Sequence, residues 1–131
     1  MDKQYIEVIN LRNWWHFVRP GLEDILKKSP EYWIPEDVYT DLFNGRSQLW
    51  VFSENNYPVG FAILENKQTE LHCWCGWANS NGHFKNAVEC VSEIAKASGH
   101  KYLTFESRRT GWDRLAPKFG FKPRKWIKEI L

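Results

Sequence analysis

The sequence lacks most of the features that would assign a chain to a specialised class of protein. Its 131 residues carry 18 basic and 16 acidic side chains, and the net charge of +2 is too small to indicate nucleic-acid binding by itself. The three cysteines, an odd number, fit reduced thiols better than a disulfide framework. No apolar run approaches the roughly 18 residues that span a membrane, and no signal-peptide pattern follows Met1. We therefore expect a soluble cytoplasmic protein without membrane contacts.

Aromatic side chains, by contrast, are abundant. They make up 16% of the sequence and include eight tryptophans, within a composition that is 43% hydrophobic and 26% charged. That composition predicts a single globular domain over residues 1–131. Tryptophan combines a large apolar area with one N–H donor, so we expect several of these rings to lie half-buried around a cleft or an interface.

Basic side chains cluster towards the C-terminus. They are Arg108, Arg109, Arg114, Lys118, Lys122, Arg124, Lys125 and Lys128. Such a cluster binds the phosphates of a cofactor or a polynucleotide, or it forms a solvated face. Because the chain carries no recognised nucleic-acid-binding module, a polynucleotide is the weakest of these alternatives.

Hydrophobic periodicity predicts a mixed order of strands and helices. The predicted strands are 5–9, 48–53, 59–64, 70–77, 101–107 and 124–130, and the predicted helices are 11–28, 35–43, 84–98 and 110–119. Pro20-Gly21 should kink or break the first helix. The early hairpins favour antiparallel pairing, and helix 84–98 permits a parallel crossover between its flanking strands. The expected fold class is therefore α/β, with a mixed central sheet flanked by helices in the order β-α-α-β-β-β-α-β-α-β.

A glycine-containing loop, Asn79-Ser80-Asn81-Gly82-His83, joins strand 70–77 to helix 84–98. A strand that opens into such a loop and a helix N-terminus offers free backbone N–H groups to a phosphate. The short last helix closes on Lys118-Phe119-Gly120-Phe121. This order, with its closing Gly-Phe, resembles the GCN5-related N-acetyltransferase (GNAT) family over nearly the entire chain.

The resemblance implies acetyl-CoA as the cofactor. The family's pyrophosphate loop, of pattern Gln/Arg-x-x-Gly-x-Gly/Ala, falls on residues 79–84, where Gly82 is kept and Phe84 replaces the final small residue. The cofactor-binding residues that the resemblance implies are Asn79, Asn81, Gly82, His83, Arg108, Arg109 and Trp112, together with a backbone N–H near Cys75. Ala116 stands where the family commonly has a Tyr that protonates the leaving thiolate, so weak activity is expected.

Acetylation of an amine also needs a base that takes a proton from the attacking nitrogen. Strand 70–77 places Glu70 and His72 on one face, because strand side chains alternate. Glu70 is the first candidate for the base and His72 the second. The alternative is a solvent-facing glutamate beside a surface histidine without a catalytic role.

The string His72-Cys73-Trp74-Cys75 invites a comparison with zinc sites. Cys73 and Cys75 are expected to share a strand face, but no second pair of closely spaced ligands follows them. We predict no metal site, and we expect the cysteines to act as small apolar residues under helix 84–98.

A second class of function is also open. The segment from Thr110-Gly111-Trp112 to Gly120-Phe121 is similar to GNAT-like proteins of tailed bacteriophages, of the internal virion protein A type. That similarity implies a non-catalytic scaffold whose tryptophan-rich surface docks another virion or structural protein.

Overall fold

The chain folds into one sheet with helices on both faces. In a computed structural model, which describes residues 1–107, 109, 111–123 and 128–130, the strands are β1 (Asp2–Ile6), β2 (Gln48–Glu54), β3 (Tyr57–Lys67), β4 (Glu70–Ala78) and β5 (Tyr102–Phe105). The helices are α1 (Leu11–Lys28), α2 (Pro35–Phe43), α3 (Asn81–Ala97) and α4 (Trp112–Leu115), with 3-10 turns at Val8–Asn10 and Ala116–Phe119. Among the described residues, no helix is long and apolar enough to cross a membrane.

The sheet has the spatial order β1-β2-β3-β4-β5. Its first four strands pair in antiparallel order. β4 and β5 are parallel neighbours, and α3 connects them in the chain. This arrangement confirms the predicted mixed sheet and its parallel pair. Of the predicted last strand, residues 124–127 lie outside the described residues, and residues 128–130 are not in a strand.

Each face of the sheet buries its own apolar cluster. On one face, α1 and α2 pack against β2, β3 and β4, with Val18, Leu22 and Val38 fully buried beside Phe61 and Ile63. On the other face, α3 contributes an apolar stripe formed by Ala87, Cys90, Val91, Ile94 and Ala95. The two layers hold β4 and β5 in a fixed position between them.

The structure differs from the predicted elements in three places. β1 ends at Ile6, and the predicted strand residues after it turn into a 3-10 helix. α1 runs through Pro20 without the break that was one of the two predicted outcomes, because proline removes only one N–H and the buried Leu22 and its neighbours secure the helix by tertiary packing. α3 begins at Asn81 rather than Phe84, since Ser80 has the extended backbone of an N-cap.

β4 carries one extra residue opposite β3. Ile63 pairs with Cys75 and Leu64 pairs with Cys73, so Trp74 has no opposite residue and forms a β-bulge. The bulge reverses the alternation of side chains along the strand. Cys73 therefore packs on the α3 side, whereas Cys75 lies in the cluster under α1 and α2. The expectations that Cys73 and Cys75 share a face, and that all three cysteines lie under α3, are wrong.

Gly21 sets the closest approach of α1 to the sheet. A Cβ at this position would lie 2.5 Å from Cε2 of Phe61, whose side chain is only 1% exposed, and 3.0 Å from Cδ2 of Trp77. We expect Gly21→Ala to lower the free energy of unfolding, measured in urea, by roughly 1–3 kcal/mol because the rings must move. Gly82→Ala is the matched control, since a Cβ there meets only Ser80 Oγ at 3.7 Å. A loss in Gly21→Ala no larger than in the control would contradict this explanation.

Candidate functional site

The candidate site begins where β4 extends beyond β5. Pairing of the two parallel strands ends at Cys73 and Phe105, whereas β4 continues to Ala78. Among the described residues, no strand pairs with this part of β4 on its β5 side. This part of β4 lies at the C-terminal ends of the two parallel strands, the usual place for ligands in open α/β sheets.

The first turn of α3 lies at the same end of the sheet. The N-cap, Ser80, makes no side-chain capping bond, and the first N–H groups of a helix have no partner within it. His83 Nδ1 lies 2.6 Å from Asn79 Oδ1 and 3.1 Å from Ser80 Oγ, so the loop side chains bond to one another. Gly82 adds no side chain and is exposed. This geometry leaves the backbone N–H groups of Asn81 and Gly82 open to a phosphate.

An aromatic cluster joins α3, β5 and α4. The ring centroid of Phe84 lies 5.5 Å from that of Trp112 and 5.3 Å from that of Phe119. Phe105 lies 4.8 Å from both Trp112 and Phe121. Phe84, which stands where the family pattern has a small residue, therefore anchors α4 beside the first turn of α3.

A basic pocket lies next to this aromatic cluster. It has a volume of about 250 Å³, and its lining includes the side chains of Arg109, Trp112, Arg114 and Lys118. Guanidinium and ammonium groups around an indole ring suit an anionic ligand with a planar part. Of the cofactor-binding residues predicted from the sequence, Arg109 and Trp112 share this pocket, whereas Arg108 lies outside the described residues.

The two predicted catalytic side chains are joined through Thr104 of β5. Thr104 Oγ1 donates a hydrogen bond to Glu70 Oε2 at 3.0 Å and lies 2.9 Å from His72 Nδ1. Leu71 and Cys73 point to the α3 side of the sheet, so alternation puts Glu70 and His72 on the opposite face. Thr104 was not predicted from the sequence, because its role depends on the parallel register that sets it opposite His72.

The imidazole of His72 is neutral at physiological pH. Burial lowers the pKa of His72 below its ordinary value because it disfavours the imidazolium, and Lys67 lowers it further. The carboxylates of Glu65, Glu106 and Glu70 oppose this shift without reversing it. A neutral imidazole can accept a proton, which is what a general base requires.

The lowered pKa of His72 makes stability depend on pH in a defined window. The folded protein binds a proton at His72 more weakly than the unfolded chain does, because the unfolded histidine has a pKa of about 6.5 and the folded one a lower pKa. The free energy of unfolding is therefore highest above about pH 6.5 and decreases as the pH falls below that value and through the folded pKa. We expect the urea unfolding free energy to fall between about pH 7.5 and about pH 5.5, where carboxylates stay ionised. His72→Gln should flatten this dependence, and His16→Gln, at an exposed site, should not. An unchanged slope in His72→Gln would contradict the assignment.

The cysteines beside the site are not nucleophiles. Burial raises the pKa of Cys73 to about 12 and the pKa of Cys75 well above its ordinary value. Both therefore remain protonated thiols at neutral pH, and a thiol is a poor nucleophile.

The fold matches solved acetyltransferase structures along almost their whole length. A ribosomal-protein-alanine N-acetyltransferase from Brucella melitensis biovar Abortus 2308 matches with a TM-score of 0.69 and 12% identity, covering 99% of this chain and 97% of that one. A GCN5-related N-acetyltransferase from Ralstonia eutropha JMP134 matches with a TM-score of 0.68, 10% identity and the same coverage. A predicted acetyltransferase from Clostridium acetobutylicum, crystallised with acetyl-CoA, matches with a TM-score of 0.65 and 14% identity over 98% of this chain and 95% of that one.

In sequence alone, no protein-family model and no curated protein matches the chain. The structural matches give no support to the similarity with phage virion proteins. Their low identity limits the likeness to the architecture, since one fold hosts many functions. The chain has the fold of the GCN5-related N-acetyltransferases.

Proposed function

We propose that the protein binds acetyl-CoA and transfers its acetyl group slowly to an amine. The observation that carries this proposal is the position of the α3 first turn, whose free N–H groups lie at the end of the sheet where β4 extends beyond β5. The free thiols of all three cysteines support a cytoplasmic site of action.

The proposed cofactor site combines two groups of residues. Asn81 and Gly82 supply backbone N–H groups to the pyrophosphate, with Asn79 and His83 shaping the loop through their mutual hydrogen bond. The basic pocket beside α4, with Arg109 and Trp112, takes a further anionic part of the molecule. Its guanidinium groups can pair with phosphate in a bidentate way that lysine cannot reproduce.

The proposed chemistry uses the face that carries Glu70 and His72. Acetyl-CoA supplies the thioester, and the backbone N–H near Cys75 polarises its carbonyl oxygen. A base on β4 takes the proton of the attacking amine. Replacing both candidates, as Glu70→Gln with His72→Ala, should remove the transfer while leaving acetyl-CoA binding unchanged, because neither side chain belongs to the proposed cofactor site.

A non-catalytic role is the second candidate, and two observations favour it. The ring of Phe84 ties the first turn of α3 to α4, where a small residue would leave more room for a ligand. Ala116 offers no acid for the leaving thiolate. In that case the fold is a scaffold for protein contacts, as in the proposed resemblance to virion proteins.

Thermal unfolding with and without acetyl-CoA separates the two candidates. We expect acetyl-CoA to stabilise the protein more than ATP does at the same concentration, because ATP lacks the pantetheine arm and the thioester. A slow appearance of free CoA in the presence of simple amines would then establish the transfer. Equal melting temperatures with and without millimolar acetyl-CoA would overturn the enzyme proposal and favour the scaffold.

A further inference from the structure

The hydrogen bonds around Thr104 fix where the protons lie on His72. A hydroxyl group has one proton, and Thr104 gives it to Glu70 Oε2, which as a carboxylate oxygen can only accept. The contact of 2.9 Å between Thr104 Oγ1 and His72 Nδ1 must then be donated by the ring, so Nδ1 carries the proton. The neutral imidazole consequently has its lone pair on Nε2. Among the described residues, no hydrogen bond is made at Nε2.

We propose that Thr104 is a positioning residue that holds His72 as the Nδ1–H tautomer, which makes His72 Nε2 the base and assigns Glu70 an indirect role. This inference rests on the proposed acetyl transfer and divides the work of the two β4 side chains. Glu70 orients Thr104, Thr104 orients the ring of His72, and only His72 touches the acceptor. The parallel register, with Thr104 directly opposite His72, holds the three side chains in line.

Apart from the amine and acetyl-CoA, the transfer step needs only these residues. The amine nitrogen forms a bond to the acetyl carbon while the C–S bond breaks, and the electron pair of that bond leaves on the CoA sulfur. The ammonium proton released from nitrogen goes to His72 Nε2 and produces an imidazolium. Thr104 still accepts the Nδ1–H bond of that imidazolium, and Glu70, Glu65 and Glu106 lie close enough to stabilise its charge.

Thr104→Val tests this inference because it removes the hydroxyl and keeps the shape and β-propensity of the side chain. Thr104→Ser is the matched control, since it retains the hydroxyl. We expect the ring nitrogen and carbon chemical shifts of His72, measured by NMR, to report the Nδ1–H tautomer in the unaltered protein and in Thr104→Ser. Thr104→Val should lose this tautomer, and the rate of transfer should fall by up to the roughly 10²–10⁴-fold that a general base contributes.

The tautomer is measured without acetyl-CoA, so it separates this inference from the proposed function. A proton on Nε2 of His72 in the unaltered protein would overturn the inference whatever the enzyme activity. An unchanged tautomer and rate in Thr104→Val would overturn it as well. Absence of acetyl transfer together with the Nδ1–H tautomer and its loss in Thr104→Val would refute the proposed function and leave the role of Thr104 standing.

Discussion

Replacing Gly82 by Asp should abolish stabilisation by acetyl-CoA without weakening the fold. At about 100 times its dissociation constant, a ligand stabilises a protein by about 2.7 kcal/mol. For a chain of this length, that corresponds to a rise in melting temperature of roughly 10 °C. A carboxylate at position 82 repels the pyrophosphate and fills the space that the glycine leaves open, so the rise should disappear.

The free protein should tolerate this change. A Cβ at position 82 meets only the Ser80 hydroxyl, at an ordinary contact distance of 3.7 Å. An acidic side chain in the first turn of α3 also suits the positive end of the helix dipole. The melting temperature of Gly82→Asp without ligand should therefore equal or exceed that of the unaltered protein.

Gly82→Ala is the control that separates charge from bulk. Its methyl group adds little volume and no charge, so we expect it to keep most of the acetyl-CoA response. Melting curves for the three proteins, each with and without acetyl-CoA, complete the comparison. A full response in Gly82→Asp would place the ligand away from the α3 first turn.

The features that the sequence predicts correctly depend on local patterns. The end of α3 near residue 98 and the hairpin between β2 and β3 each follow from a few neighbouring residues. The parallel pairing of β4 with β5 follows from the length of the crossover between them. These patterns suffice to predict the mixed sheet and the position of its glycine loop.

The features that escape the sequence depend on contacts between distant residues. Nothing near Trp74 marks it as a bulge, because the extra residue appears only when β4 is laid against β3. The continuity of α1 through Pro20 likewise depends on burial against the sheet, which outweighs a local preference. Thr104 gains its importance only from the register of β5 with β4, and one residue of slip would turn it to the other face.

Introducing a tyrosine at position 116 should increase acetyl transfer. Ala116 donates its backbone N–H to the carbonyl of Trp112 one turn earlier, so the two side chains lie on the same side of this helical segment. The ring of Trp112 packs against Phe84 of α3 and Phe105 of β5. A tyrosine at 116 would therefore project its hydroxyl towards the place where the proposed thioester lies.

The expected gain comes from protonating the leaving thiolate. A general acid in the right position contributes a factor of roughly 10²–10⁴ in rate, and we expect Ala116→Tyr to recover about the lower end of that range. Ala116→Phe is the matched control, because it has the same ring without the hydroxyl, and its rate should not rise. The rate of release of free CoA with a fixed amine acceptor is the measurement. Equal rates for the two variants would assign any change to bulk, and rapid turnover by the unaltered protein would show that another group already supplies the proton.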